Sequence, residues 1–185
     1  MSRGAGNRER DISKTLSYWL RHKPEAAGLV LDARGWADVP AVLAALARAF
    51  RPPVTAEEVA DVVAASDKGR FALNGGRIRA VQGHSFPVDL GLDVSVPPDT
   101  LFHGTTHERW RAIHADGLRP MRRQYVHLSP DVPTAERVAR RHRGELPLVL
   151  RVDSAAAAAA GHPFYRAENG VWLTDTVPPP FLTPV

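Results

Sequence analysis

No cysteine occurs among the 185 residues. That absence excludes disulfides, thiolate metal sites and a cysteine nucleophile, and it leaves the redox compartment open. Lysine is nearly as scarce, with Lys14, Lys23 and Lys68 the only three among 24 basic residues. The basic side chains are overwhelmingly arginine, in an alanine-rich chain that suggests biased codon usage, so each single arginine is weak evidence. No apolar run is long enough to span a bilayer, and the opening residues, with Arg3, Arg8, Glu9, Arg10 and Asp11, hold no apolar signal-peptide core. A soluble, cytoplasmic protein with no membrane partner is the expectation. No phosphate-binding P-loop, paired-carboxylate motif, serine-nucleophile motif or internal repeat stands out.

What is present points to an anionic partner. The net charge is +4 and the isoelectric point is near 9.9, a modest excess that favours anions without proving nucleic-acid binding. Arginine's planar fork binds phosphate oxygens two at a time, as lysine cannot, so an arginine-rich surface suits phosphate chemistry where the arginines converge. The length allows one large or two small domains, each with a core.

Apolar periodicity predicts three helices first. Ile12, Leu16, Trp19 and Leu20 fall at helical spacing after a possible cap at Asp11, and Pro24 stops the pattern, which puts Arg21, His22 and Lys23 in the last turn. Asp38 and Pro40 precede a second helix through Val42, Leu43, Leu46 and Phe50. Thr55 opens a third, with Glu58 as capping-box partner and Val59, Val62 and Val63 inside. Phe71 to Leu73, a turn at Asn74, Gly75 and Gly76, and Ile78 to Val81 read as a β-hairpin. Helices followed by a hairpin suggest a winged helix. Gly83, Pro87, Gly91, Pro97 and Pro98 mark a connecting segment between about residues 83 and 100, which separates lobes at 1–90 and 91–185.

The second lobe alternates strands and helices, a mixed α+β pattern. Strands are expected at Leu101 to His103, Tyr125 to Leu128, Leu148 to Val152 and Val171 to Leu173. Helices are expected through Trp110 and Ile113, closed by Gly117, and near Ala135 to His142. The run Ala155 to Ala160 reads as a short surface helix or spacer and is assigned no role.

Each charged cluster has an ordinary explanation. Arg21, His22 and Lys23 complement a helix dipole. A solvated turn would tolerate Asp67, Lys68 and Arg70, and Arg137, Arg140, Arg141 and Arg143 read as a solvated helix face. Arg119, Arg122 and Arg123 precede the Tyr125 strand. His103-Gly104-Thr105-Thr106 passes from a strand into a helix, where a glycine lets a ligand approach the backbone while His and Thr supply hydrogen bonds. An ordinary strand-to-helix turn explains it about as well. His107 and His114 invite a metal reading with His103, but the spacing fits no strong zinc signature and no metal is expected. His142 and His162 read as surface or packing residues. To this point the residues define a basic, two-lobe protein with scattered anion-binding candidates and no reaction.

Six segments in register, however, resemble the KptA-type RNA 2′-phosphotransferases. They are Leu20-Arg21-His22-Lys23-Pro24, Asp67-Lys68-Gly69-Arg70-Phe71, Arg79-Ala80-Val81-Gln82-Gly83-His84-Ser85, Leu101-Phe102-His103-Gly104-Thr105, Arg123-Gln124-Tyr125-Val126-His127-Leu128-Ser129 and Asn169-Gly170-Val171-Trp172-Leu173-Thr174. The resemblance implies an α+β protein with an N-terminal winged-helix-like RNA lobe and a C-terminal ADP-ribosyltransferase-fold lobe. It implies an essential Arg-His-Arg-Arg set matching Arg21, His22, Arg70 and Arg123. Arg122 stands beside the last of these, and the following Gln-x-Val-His-Leu-Ser selects Arg123. NAD, consumed as co-substrate, would be held by His103, Gly104 and Thr105 and by His127 and Ser129. Val171 stands about where protein-modifying relatives carry a glutamate, which argues against a protein side chain as acceptor.

The implied activity removes an internal 2′-phosphate from RNA, as in tRNA splicing or RNA repair, by a monomer. The 2′-phosphate displaces nicotinamide from NAD, giving an RNA-2′-phospho-ADP-ribose intermediate. The neighbouring ADP-ribose hydroxyl then attacks phosphorus, leaving 2′-OH RNA and ADP-ribose 1″,2″-cyclic phosphate. Two alternatives share parts of this pattern. One is an ADP-ribosyltransferase that leaves ADP-ribose on a nucleic-acid phosphate; the other is a winged-helix regulator, which should bind duplex DNA with sequence preference and leave NAD intact.

Overall fold

The computed structural model describes residues 3–66, 68–142 and 144–185. The chain divides into two compact units, Met1–Gly91 and Leu92–Val185.

In the first unit, α1 (Arg3–Arg21) presents Ile12, Leu16, Trp19 and Leu20 to a core shared with α2 (Val39–Ala49) and α3 (Ala56–Ala64). The predicted helical spacing is that of the buried face. The helix begins well before Asp11, which is therefore no cap: it lies inside α1, 3.6 Å from Lys14. What carries the helix further back is tertiary. Arg8 Nε donates to Glu58 Oε1 at 2.6 Å and Nη2 to the Pro52 carbonyl at 2.8 Å, a tie across the fold that periodicity does not show. Arg21 is the last residue of α1, so His22 and Lys23 lie just past it, both donating N–H to the Tyr18 carbonyl at 3.0 Å. Pro24 opens a short 3-10 turn to Ala27.

The Thr55 capping box at α3 is formed in both directions, Glu58 N to Thr55 Oγ1 at 3.1 Å and Thr55 N to Glu58 Oε2 at 2.9 Å. Two-residue β1 (Ala37–Asp38) joins the hairpin of β2 (Phe71–Asn74) and β3 (Arg77–Ala80) in an antiparallel sheet ordered β1-β3-β2. A strand that short has too few residues to show a period of two.

The second unit holds two three-stranded antiparallel sheets. The first pairs β4 (Thr100–Thr106), β6 (Pro147–Asp153) and β9 (Leu182–Pro184) in the order β4-β6-β9; the second has β5 (Val126–Leu128), β7 (Phe164–Arg166) and β8 (Trp172–Thr174) in the order β5-β8-β7. Phe102 and Ser129 exchange backbone hydrogen bonds at 2.9 and 2.7 Å, bringing β4 and the end of β5 together. The Trp110 helix is α4 (His107–Asp116), closed at Gly117.

The next helix, α5 (Val132–Ala139), starts earlier than predicted because Asp131 Oδ1 caps it, accepting from Thr134 N at 2.7 Å, and it ends before Arg140. Of the three described arginines only Arg137 therefore lies inside the helix, with Arg140 and Arg141 following it; Arg143 lies outside the described residues. Alanine-rich α6 (Ser154–Ala159) is more than a surface spacer, since Ala157 joins the core with Leu101, Leu150, Val152 and Phe164, and buried Ser154 donates to the Pro98 carbonyl at 2.6 Å. Among the described residues no helix is long and apolar enough to cross a membrane.

Candidate active site

In the first unit the end of α1 meets the start of the hairpin. Arg21 is half-buried and its Nη2 donates to the Arg70 carbonyl at 3.3 Å, while its guanidinium lies 6.0 Å from the centre of the Phe71 ring. Arg70 is itself half-buried. Its N–H and Nη1 both point to Ser66 Oγ, at 3.2 and 3.4 Å, and its carbonyl also accepts from Val81 N at 3.0 Å. The solvated-turn explanation fails for Arg70, because the hairpin and Ser66 hold it in place; Asp67 of the same segment lies outside the described residues. His22 is exposed beside Arg21. The helix terminus thus sets the Arg21 guanidinium against the backbone of Arg70, with His22 next to Arg21 in the chain, residue types able to hold an anion and exchange a proton.

Sequence reasoning gave His84 no role, yet it belongs to this group. Only 1% exposed, it lies near Arg21, His22 and Arg79. Burial first, and these neighbouring cations second, push its pKa down to about 4, so the ring is neutral at physiological pH. The Gly-His-Ser motif was the available signal; nothing local to the sequence indicates its burial.

In the second unit His103 Nδ1 lies 3.0 Å from the His127 carbonyl oxygen and His127 Nδ1 lies 2.9 Å from that of Tyr125. A carbonyl accepts only, so each Nδ1 carries the proton, and in neutral His103 the Nε2 is left as an acceptor. The His103 pKa is lowered, by burial above all and further by His142 and Arg123, against the opposing pull of the His127 carbonyl. Arg123 is exposed overall, but its guanidinium is locally crowded and has Arg141 for a neighbour, which lowers its pKa without costing it the charge at neutral pH. Arg141 and His142 are therefore neighbours of this group, which their place on the predicted helix did not reveal. Thr105 is buried and Ser129 half-buried.

Gly104 has a different physical reason from the one its sequence suggests. A Cβ there would overlap the Ala135 carbonyl oxygen and sit 2.8 Å from Ala139 N, so the backbone that approaches this glycine is that of α5. His107 is exposed, His114 packs edge-on against Trp110 at 5.2 Å, and His162 against Phe181 at 5.9 Å. Among the described residues no three His, Asp or Glu side chains gather as a metal ligand set. A depression of about 340 Å³, lined by His107, Val132, Glu136 and Arg140 on one side and Leu148 and Val149 on another, includes none of the expected site residues.

An arginine pair with an imidazole at one helix end, and a neutral histidine among cations on a second unit, describe a protein equipped for anionic ligands. Residues 7–176 match the RNA 2′-phosphotransferase, Tpt1 / KptA family. The chain is 54% identical over 173 residues to a protein of Agrobacterium fabrum, covering 92% of this chain and 91% of the relative. A protein of Streptomyces coelicolor is 53% identical over 171 residues, covering 92% of each. One of Rhizobium leguminosarum bv. trifolii is 46% identical over 176 residues, covering 95% of this chain and 94% of the relative. All three bear the name "Probable RNA 2′-phosphotransferase". The chain belongs to the RNA 2′-phosphotransferase family, and it is an enzyme of the transferase class.

Proposed function

We propose that this enzyme removes an internal 2′-phosphate from RNA by transferring it to NAD, acting as a cytoplasmic monomer without a metal. The observation that carries the reading is the family match from residue 7 to residue 176, which spans both units and includes every residue of the expected set. In this reading the first unit is a winged-helix-like RNA lobe, supported by its three helices and antiparallel hairpin, and the second is an ADP-ribosyltransferase-like NAD lobe, supported by its two small antiparallel sheets.

The reaction needs little covalent help from the protein. A 2′-phosphate is already anionic near neutral pH, so one of its oxygens attacks the nicotinamide-bearing ribose carbon once held in line. The bond to nicotinamide breaks, and nicotinamide leaves as a neutral molecule. In the second step the neighbouring hydroxyl of the ADP-ribose attacks phosphorus, the bond to the RNA 2′-oxygen breaks, and the proton lost by the hydroxyl ends on that oxygen. Charge then concentrates on the non-bridging oxygens, where Arg21, Arg70 and Arg123 stabilise it, and His22 handles the hydrogen bond or proton transfer.

His103, Gly104, Thr105, His127 and Ser129 hold NAD. The fit is supported by the tautomer of His103, whose Nε2 can accept from a ribose hydroxyl, and by the positive surroundings of Arg123 and Arg141, which suit a pyrophosphate. Gly104 contributes backbone only, since α5 covers its α-carbon. The test is turnover of a defined 2′-phosphorylated oligonucleotide with NAD. His22→Ala and Arg123→Ala should each fall by about 100-fold or more while remaining folded. Near-parental turnover in either would remove that residue from the catalytic set.

A further inference from the structure

Gly83, His84 and Ser85 follow β3, and the reaction as described gives them no task. Their geometry concerns Arg21. The chain turns at Gly83 with φ of +92°, which side-chain-bearing residues rarely adopt, and a Cβ added there would rest 3.6 Å from Arg21 Cδ, 3.7 Å from Nε and 3.8 Å from Cζ. The turn lays the chain along the stem of the arginine. Two residues on, Ser85 donates its N–H and its hydroxyl to the Arg21 carbonyl, at 2.8 and 3.2 Å. Arg21 is thus held at its backbone by one end of the segment and along its side chain by the other.

His84 fills the middle. It packs edge-on to Phe86 with ring centres 5.6 Å apart, and Nε2 lies against Gly35, where an added Cβ would come within 3.4 Å of it. Among the described residues neither ring nitrogen has a hydrogen-bond partner, although the ring is 1% exposed. Burying a polar ring unpaired is unfavourable, and a core built for stability alone would place an apolar residue there. The charges that bear on the ring belong to Arg21, His22 and Arg79, two of them in the proposed catalytic set.

We propose that Gly83-His84-Ser85 is a clasp that orients Arg21 and His22 for phosphate transfer, with His84 as its central positioning residue. The inference rests on the function proposed above. A neutral imidazole keeps an unpaired acceptor nitrogen within the field of the Arg21 guanidinium, available to it as the fork turns onto a phosphate, without adding another cation to repel it. A leucine would fill the same space and supply nothing.

Three proteins decide it: the parent, His84→Leu, and His84→Gln, whose amide restores an acceptor. The readouts are the NMR resonance of Arg21 Nε–Hε in the substrate-free protein, and kcat and KM on a 2′-phosphorylated oligonucleotide with NAD. His84→Leu should shift and broaden the Arg21 resonance and lower kcat by about tenfold or more, with the KM for NAD changed less than about twofold; His84→Gln should recover part of the loss. A folded His84→Leu with parental kcat and an unchanged Arg21 resonance overturns the proposal. If circular dichroism shows His84→Leu unfolded, Gly83→Ala decides by the same two readouts, and parental values overturn it. If the parent itself shows no NAD-dependent turnover, the functional reading has failed, and the Arg21 resonance alone judges the clasp: unchanged in His84→Leu, it sinks the idea.

Discussion

At the scale of single residues, the titration of His84 has a consequence for stability. Its ordinary pKa of 6.5 is lowered to about 4 in the folded state, by burial and then by Arg21, His22 and Arg79. Between those values the unfolded chain binds the proton and the folded chain does not, so stability rises with pH across the window and is lost as pH falls from about 6.5 towards 4. The shift corresponds to about 3 kcal/mol at most. His84→Leu removes this contribution, whereas Glu58 and Asp131, whose own pKa values are lowered, titrate alike in both proteins. The difference in unfolding free energy between parent and variant, followed by urea titration, should therefore move in the variant's favour by up to that amount as the solution is acidified; parallel curves would contradict the assignment. Residue identities alone did not reveal any of this. Arg21, His22, Arg70 and Arg123 were visible only as members of aligned motifs, because on sequence alone a helix dipole accounts for Arg21 and His22 and a wet turn for Arg70, and what distinguishes Arg70 is a set of hydrogen bonds with Ser66, Val81 and Arg21.

At the scale of elements, the packing of α5 on β4 through Gly104 is the sharpest constraint in the second unit. Gly104→Ala forces a methyl group into the Ala135 carbonyl and Ala139 N–H, and neither backbone atom can rotate away. The substitution should cost about 3 kcal/mol or more, read as a lowered Tm; a Tm within a degree of the parent would show that helix and strand are not tightly apposed. The elements legible in the sequence were those whose cause is local. Thr55 and Glu58 form their capping box, the Asn74-Gly75-Gly76 turn closes its hairpin, and Ile12, Leu16, Trp19 and Leu20 share the buried face of α1. The rest depended on partners distant in sequence. The sequence before Ile12 has no apolar periodicity, and Arg8 ties that part of α1 to Glu58; β1, β7 and β9 are two or three residues long and become strands only by pairing with β3, β8 and β6.

At the scale of the whole molecule, membership of the RNA 2′-phosphotransferase family rests on a match that begins in α1 and ends past β8, so it draws on residues of both units. The central claim is that the enzyme completes two steps, first joining RNA phosphate to ADP-ribose and then expelling the RNA 2′-oxygen. An ADP-ribosyltransferase that stopped after the first step would use nearly the same residues, so no single substitution separates the two. The products do. Incubated with a defined 2′-phosphorylated RNA, with and without NAD, the enzyme should give 2′-hydroxyl RNA, nicotinamide and ADP-ribose 1″,2″-cyclic phosphate only when NAD is present. An oligonucleotide that keeps its ADP-ribose, or one that keeps its 2′-phosphate in the presence of NAD, would contradict the account.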